Sequence, residues 1–216
     1  MRTALIVFAL AFLVIPTFAY AADGTEQAMS HGAAADGKLT DAQRAEMVSA
    51  LEASQTHTLS MVAGLSDEAL NWKSAEDRWS VAQVLEHLML AENVFHMQMK
   101  GAMEQPADPE WQTKVKGRTE QLSQTIPDRS NPVQAPDALA PKGETSRADM
   151  VATYVAKRAE TIEVVRTSQE PLNAHVMESN FFGHVNASHW LLFAALHNQR
   201  HNKQIQEILD DPNFPG

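Results

Sequence analysis

The stretch that decides the fold is Asn186-Ala-Ser-His-Trp-Leu-Leu-Phe-Ala-Ala-Leu-His-Asn-Gln-Arg-His-Asn-Lys-Gln-Ile-Gln-Glu-Ile-Leu209. Within it Trp190, Ala194, His197, His201, Ile205 and Ile208 follow one another at steps of 4, 3, 4, 4 and 3, the repeat of one helix face. This stripe should face a core, and Asn198, Gln199, Asn202 and Lys203 read as the wet side of the same helix. The helix opens near Asn186 or Ser188 and ends at about Leu209.

Three similar segments precede it. Thr40-x-x-Gln43 and Ser80-x-x-Gln83 are capping pairs, in which side chains satisfy the free amides of a first helical turn. The first opens a helix with apolar positions Met47, Ala50, Leu51, Leu59, Val62 and Leu65, stopping at Gly64. The second opens one through Leu85, Leu88, Phe95 and Met99, ended by Pro106. Ser146-x-x-Asp149 starts another, through Val151, Val155, Ile162 and Val165 to Pro171.

Between the second and third helices, residues 104–144 carry six prolines (106, 109, 127, 132, 136 and 141). They read as a long crossover with one or two helical turns between Trp111 and Leu122, a connection that lets two helices run the same way or spans the bundle end. No strand-like alternation competes, so the fold class is all-α: a four-helix bundle with a long crossover between helices 2 and 3. Its domain spans 38–211.

Before it, residues 22–37 read as a flexible leader. Residues 1–21 combine Arg2, an apolar run from Ala4 to Ile15, and Ala19-Tyr20-Ala21, the pattern of a secretory signal cleaved near Ala21-Ala22. Twelve apolar residues span roughly 18 Å, short of a bilayer core near 30 Å, so no stable membrane anchor is expected after cleavage. The expected location is periplasmic or secreted.

Composition narrows the chemistry. The 216 residues include no cysteine and nine histidines, which excludes disulfides, thiolate ligands and a cysteine nucleophile. Net charge is −10, and loss of Arg2 with the signal leaves 16 of the 17 basic residues against 27 acidic ones, −11. Nucleic acid is not an expected partner, for want of a basic footprint. A small-molecule substrate is, and a homodimer is compatible with the sequence.

His197 and His201 lie one turn apart, about 40° from each other around the helix. His87 falls on the inward line of Val84, Ala91 and Val94 in the second helix. An unpaired polar group in a core costs about 1–3 kcal/mol, so three inward histidines call for a common partner, and a metal ion serves all three. The other histidines fare worse. His96 is nearly opposite His87 and reads as solvated; His189 is roughly 80° off the His197 face; His175 and His184 fall in a loop; nothing points to His31 or His57.

Around the three histidines, Glu86 points about 100° away from His87, so a carboxylate from another helix is the better candidate acceptor for a ligand ring's second nitrogen, and Glu92 is one candidate. Arg200 and Arg158 could bind an anionic substrate. Arg158, on the line of Val151, Val155, Ile162 and Val165, is better read as an ion-pair partner inside the bundle. Trp79 and Trp190 sit at helix starts, where aromatics usually pack rather than line a pocket.

Arg78-Trp79-Ser80-Val81-Ala82-Gln83-Val84-Leu85-Glu86-His87-Leu88 resembles the second-helix signature of the DinB-like (YfiT-type) superfamily of metal-dependent hydrolases. Phe182 to Leu192 and His197 to Ile205 resemble its fourth helix, and Ala135 to Pro141 its crossover. The resemblance implies a four-helix bundle holding a divalent metal, commonly zinc or nickel, through His87, His197 and His201. It also implies a metal-dependent hydrolase or a thiol S-transferase; a maleylpyruvate isomerase is another similar member. Most members are cytoplasmic, so an export signal argues against a cytosolic thiol cofactor here. A non-catalytic metal-binding or stress-related bundle, and a structural bundle with idle histidines, are the competing expectations.

Overall fold

The computed structural model describes residues 34–131 and 133–216. The expected signal, leader residues 22–33, His31 and Pro132 lie outside the described residues. Four long helices carry the fold: α1 (Asp41–Val62), α3 (Val81–Met103), α6 (Arg147–Thr167) and α7 (Ala187–Leu209). Short pieces join them: α2 (Asp67–Asn71), α4 (Trp111–Lys114), α5 (Arg118–Thr125) and a 3-10 turn at Asp137–Leu139.

Each long helix starts where its capping residues stand. The Thr40, Ser80, Ser146 and Asn186 side chains accept the amides of Gln43, Gln83, Asp149 and His189. Such a cap contributes about 1 kcal/mol. In three of the four the third residue answers with its own side chain, completing a capping box.

α7 packs on α1 and α3, and α6 packs on the same two from the other side. Cross-helix bonds give the directions. Arg147, at the start of α6, bonds the Val62 and Leu65 carbonyls at the end of α1, so these two are antiparallel. Glu86 near the start of α3 meets Gly143 and Thr145 just before α6, so α3 and α6 run parallel. The proline-rich crossover, with α4 and α5 in it, returns the chain to the end where α3 began.

The core has two large apolar blocks and a small third one of Trp111, Val115 and Ala174. Of the large two, one gathers Leu51, Met99, Ile162, Leu191 and Phe193; the other gathers Val81, Leu85, Leu88, Tyr154 and Ile205. A polar layer crosses the bundle beside them. Arg158, fully buried, bonds Glu92, the Leu51 and Ala194 carbonyls, Ser54 and Asn198. Burial pushes the Glu92 carboxyl up, and the Arg158 charge beside it pulls it back down. Asn198 also takes the Tyr154 hydroxyl and donates to Thr58, which donates to Asn202.

Three expectations change here. Asn198 and Asn202 are core residues, because the far side of α7 meets α1 and α6 polar groups instead of water. Val155 is 37% exposed, and the inward line of α6 runs through Tyr154, Arg158, Thr161 and Val165. A two-stranded antiparallel hairpin, β1 (Val176–Ser179) and β2 (Gly183–Asn186), leads into α7 where only loop was expected.

Candidate metal centre

His87 stands in the second turn of α3, and His197 and His201 on successive turns of α7. Packing of α3 on α7 turns all three rings to one point. His197 Nε2 is 3.1 Å from His87 Nε2 and 3.1 Å from His201 Nε2. A single ion bonded at about 2.0–2.1 Å holds two imidazole nitrogens roughly 2.9–3.4 Å apart, so the spacing fits one metal.

The outer nitrogens decide the tautomers. His87 Nδ1 lies 2.7 Å from the Leu139 carbonyl, which can only accept, so this nitrogen carries the proton. His201 Nδ1 lies 2.8 Å from Gln204 Oε1, and that oxygen also accepts from Arg129 Nη1 at 3.3 Å. The arginine can only donate, so the His201 Nδ1 must donate too. Neutral His87 and His201 therefore both aim Nε2 lone pairs at His197 Nε2, which has one proton at most to give. At least one lone pair stays unmet, and a cation would accept all three.

Electrostatics favour the neutral, ligating form. Burial, and then the neighbouring rings, hold His197 well below its ordinary value. Burial first, and then His87, bring His201 to about 3. Burial lowers His87, partly offset by the Leu139 carbonyl. His87 and His201 are buried, whereas His197 keeps some accessible surface. Two aromatic rings wall the cluster. Trp79 lies 5.0 Å from His87 and stacks 6.4 Å from His201, and Phe95 sets its edge 5.2 Å from His197.

The family model of the DinB superfamily matches residues 50–205, from the middle of α1 to the last turns of α7. The chain belongs to the DinB superfamily. A curated relative, the uncharacterized protein YuaE of Bacillus subtilis (strain 168), is 29% identical to this DinB chain over 157 residues, covering 67% of this chain and 86% of YuaE. Among solved structures, YfiT from Bacillus subtilis superposes with a TM-score of 0.51 at 13% identity, over 79% of this chain and 88% of that one. YfiT is described as "a probable metal-dependent hydrolase with an unusual four-helix bundle topology". At that identity the likeness establishes the shared fold.

Around the DinB cluster several expected roles fall elsewhere. Glu92 belongs to the Arg158 pair, so the outer acceptors are the Leu139 carbonyl and Gln204 instead. Gln204 follows His201 by one turn, a spacing visible in the sequence; a backbone carbonyl from the crossover leaves no such trace. Arg158 is the ion-pair partner expected. Arg200 donates to the Asp128 and Asn131 carbonyls and so fastens the crossover. Trp79 does face the cluster, whereas Trp190 packs against Phe193 and Phe182.

His189 caps its own helix: its Nδ1 accepts the Asn186 amide, and its Nε2 then donates to Thr119. Burial brings it to about 3. His96 is half-buried against α6, not solvated; burial lowers it. His175 bonds the Gln105 carbonyl, and His184 pairs with Glu178 across the hairpin. A cavity of about 330 Å³ between α1, α5 and the start of α7 is floored by Asn173, Asn186, Ser188 and His189, whose polar atoms bond one another. Neither it nor a second cavity beside the hairpin includes the three clustered histidines.

Proposed function

We propose that the protein is an exported DinB-superfamily metalloprotein that holds one divalent ion, zinc or nickel, through His87, His197 and His201. The convergence of three Nε2 atoms with at least one lone pair unmet carries this reading. Three neutral ligands leave the ion its full charge and open coordination positions, so it can act as a Lewis acid and lower the pKa of a water or thiol that it binds.

The chain's own residues do the rest. The Leu139 carbonyl and Gln204 hold the Nδ1 protons of two ligands and so keep their Nε2 atoms turned inward. Trp79 and Phe95 keep bulk water off two sides of the cluster. The activity proposed is hydrolysis or thiol transfer on a small molecule outside the cytoplasm. A non-catalytic metal-binding role is the second reading, favoured by one observation: His87 and His201 are both buried.

The test is turnover across a panel of esters, amides and activated thiol acceptors with the zinc- and nickel-loaded protein. Turnover that disappears in His201→Ala while the fold is retained supports the enzyme. Stoichiometric metal with no turnover across the panel supports the second reading.

A further inference from the structure

The crossover is fastened to the bundle at two places, and each fastening ends on a clustered histidine. At the first, Lys203 donates to the Pro127 carbonyl, and Arg200 to those of Asp128 and Asn131. Arg129 grips Glu207 with two parallel bonds, Nε to Oε1 at 2.9 Å and Nη2 to Oε2 at 2.8 Å. Its third donor reaches Gln204 Oε1, the atom that receives the His201 Nδ1 proton. At the second, Gly143 donates to the buried Glu86 carboxylate at 2.8 Å, and the Leu139 carbonyl receives the His87 Nδ1 proton. Gly143 takes φ +72°, a left-handed backbone conformation that residues with a Cβ rarely adopt.

A fork-shaped guanidinium held by two carboxylate oxygens has little freedom left, so the direction of its third donor is set. Gln204 would otherwise choose freely between presenting its oxygen or its amide to His201. With the amide there, His201 would have to accept at Nδ1 and carry its proton on Nε2, where it could not ligate. Arg129 removes that choice.

We propose that Arg129 and Gln204 are positioning residues for the metal centre, and that docking of crossover residues 127–131 and 136–143 is coupled to occupancy of the three histidines. The proposal rests on the three-histidine reading above. Reciprocity follows from it: whatever factor the docked crossover adds to metal affinity, the metal adds to docking.

The experiment uses the full mature chain. Zinc affinity is read by competition with a chromophoric chelator, and ligand geometry by the visible absorption of the cobalt(II)-substituted protein. Gln204→Leu, which removes the acceptor, should weaken zinc about 10–100-fold and shift the cobalt spectrum. Gln204→Glu, which keeps an acceptor, should restore both. Arg129→Gln, at the rim, should weaken zinc several-fold, and it carries the test should Gln204→Leu not fold. Hydrogen exchange of the non-proline amides in 127–131 and 136–143 should slow when zinc is added to the wild type. Zinc affinity within twofold of wild type in both Gln204→Leu and Arg129→Gln would overturn the proposal. So would exchange in this segment that ignores bound zinc. His201→Ala separates the two failures: if zinc affinity survives that change, it is the three-histidine reading that falls.

Discussion

Arg158→Met tests the polar layer that holds α7 in register. The guanidinium has no exposed surface and makes bonds to Glu92, Ser54, Asn198 and two backbone carbonyls. Methionine keeps much of the volume and none of the donors. Glu92 is left buried beside the Thr161 hydroxyl, with its arginine partner gone. Removing one member of a buried pair costs about 3–5 kcal/mol, chiefly because the other charge is stranded. The loss should be read from urea denaturation at pH 7, as a fall in midpoint at constant slope. Adding Glu92→Met to Arg158→Met should recover at least half of it, since no stranded charge then remains. Lowering the pH should also relieve the single variant. Its Glu92 carboxyl stands above its unfolded value once the arginine is gone, so the folded state takes up the proton first and stability rises as pH falls through that range. A loss below about 1 kcal/mol in Arg158→Met, or a double variant no better than the single, would show that no stranded charge is at work.

Further outcomes follow from the buried imidazoles and the caps. His189 and His201 are brought to about 3, mainly by burial, against an unfolded value near 6.5. The unfolded chain therefore binds protons first, so the stability of metal-free protein is full above pH 6.5 and falls toward pH 3, by up to about 1.4 kcal/mol per pH unit for each. Urea midpoints at pH 7, 6 and 5 check this, and a flat profile contradicts it. Ser80→Ala removes half of the α3 capping box and should cost about 1 kcal/mol, seen as a lower Tm. Trp79→Ala opens one wall of the cluster and should speed zinc loss to a chelator in excess; an unchanged rate would show that the indole does not shield the site.

Most of the bundle was legible because its signals are local. Thr40, Ser80, Ser146 and Asn186 mark helix starts by chemistry that acts within one turn, and the His197/His201 spacing needs only helix geometry. What went unread depends on contacts far apart in the chain. Asn198 and Asn202 look wet by composition, and it takes Ser54, Thr58, Tyr154 and Arg158 from two other helices to make them core residues. Val155 fits the apolar repeat of α6, yet a buried arginine at position 158 rotates the packed face away from it. The hairpin has strands of four residues, too short to show alternation, and its register rests on backbone pairing. At the metal centre the three histidines could be chosen from periodicity and family resemblance. Glu92 carries no local sign of its partner Arg158, which lies 66 residues away, and the Leu139 carbonyl that holds His87 carries no side-chain signature at all.

We propose that His87, His197 and His201 hold one metal ion. Elemental analysis of the natively purified mature protein, beside His87→Ala purified in the same way, tests it most directly. One zinc or nickel per chain is expected in the wild type and none in the folded variant. A wild type without stoichiometric metal that also takes up none from added zinc or nickel, or a His87→Ala protein that keeps its full ion, would contradict it.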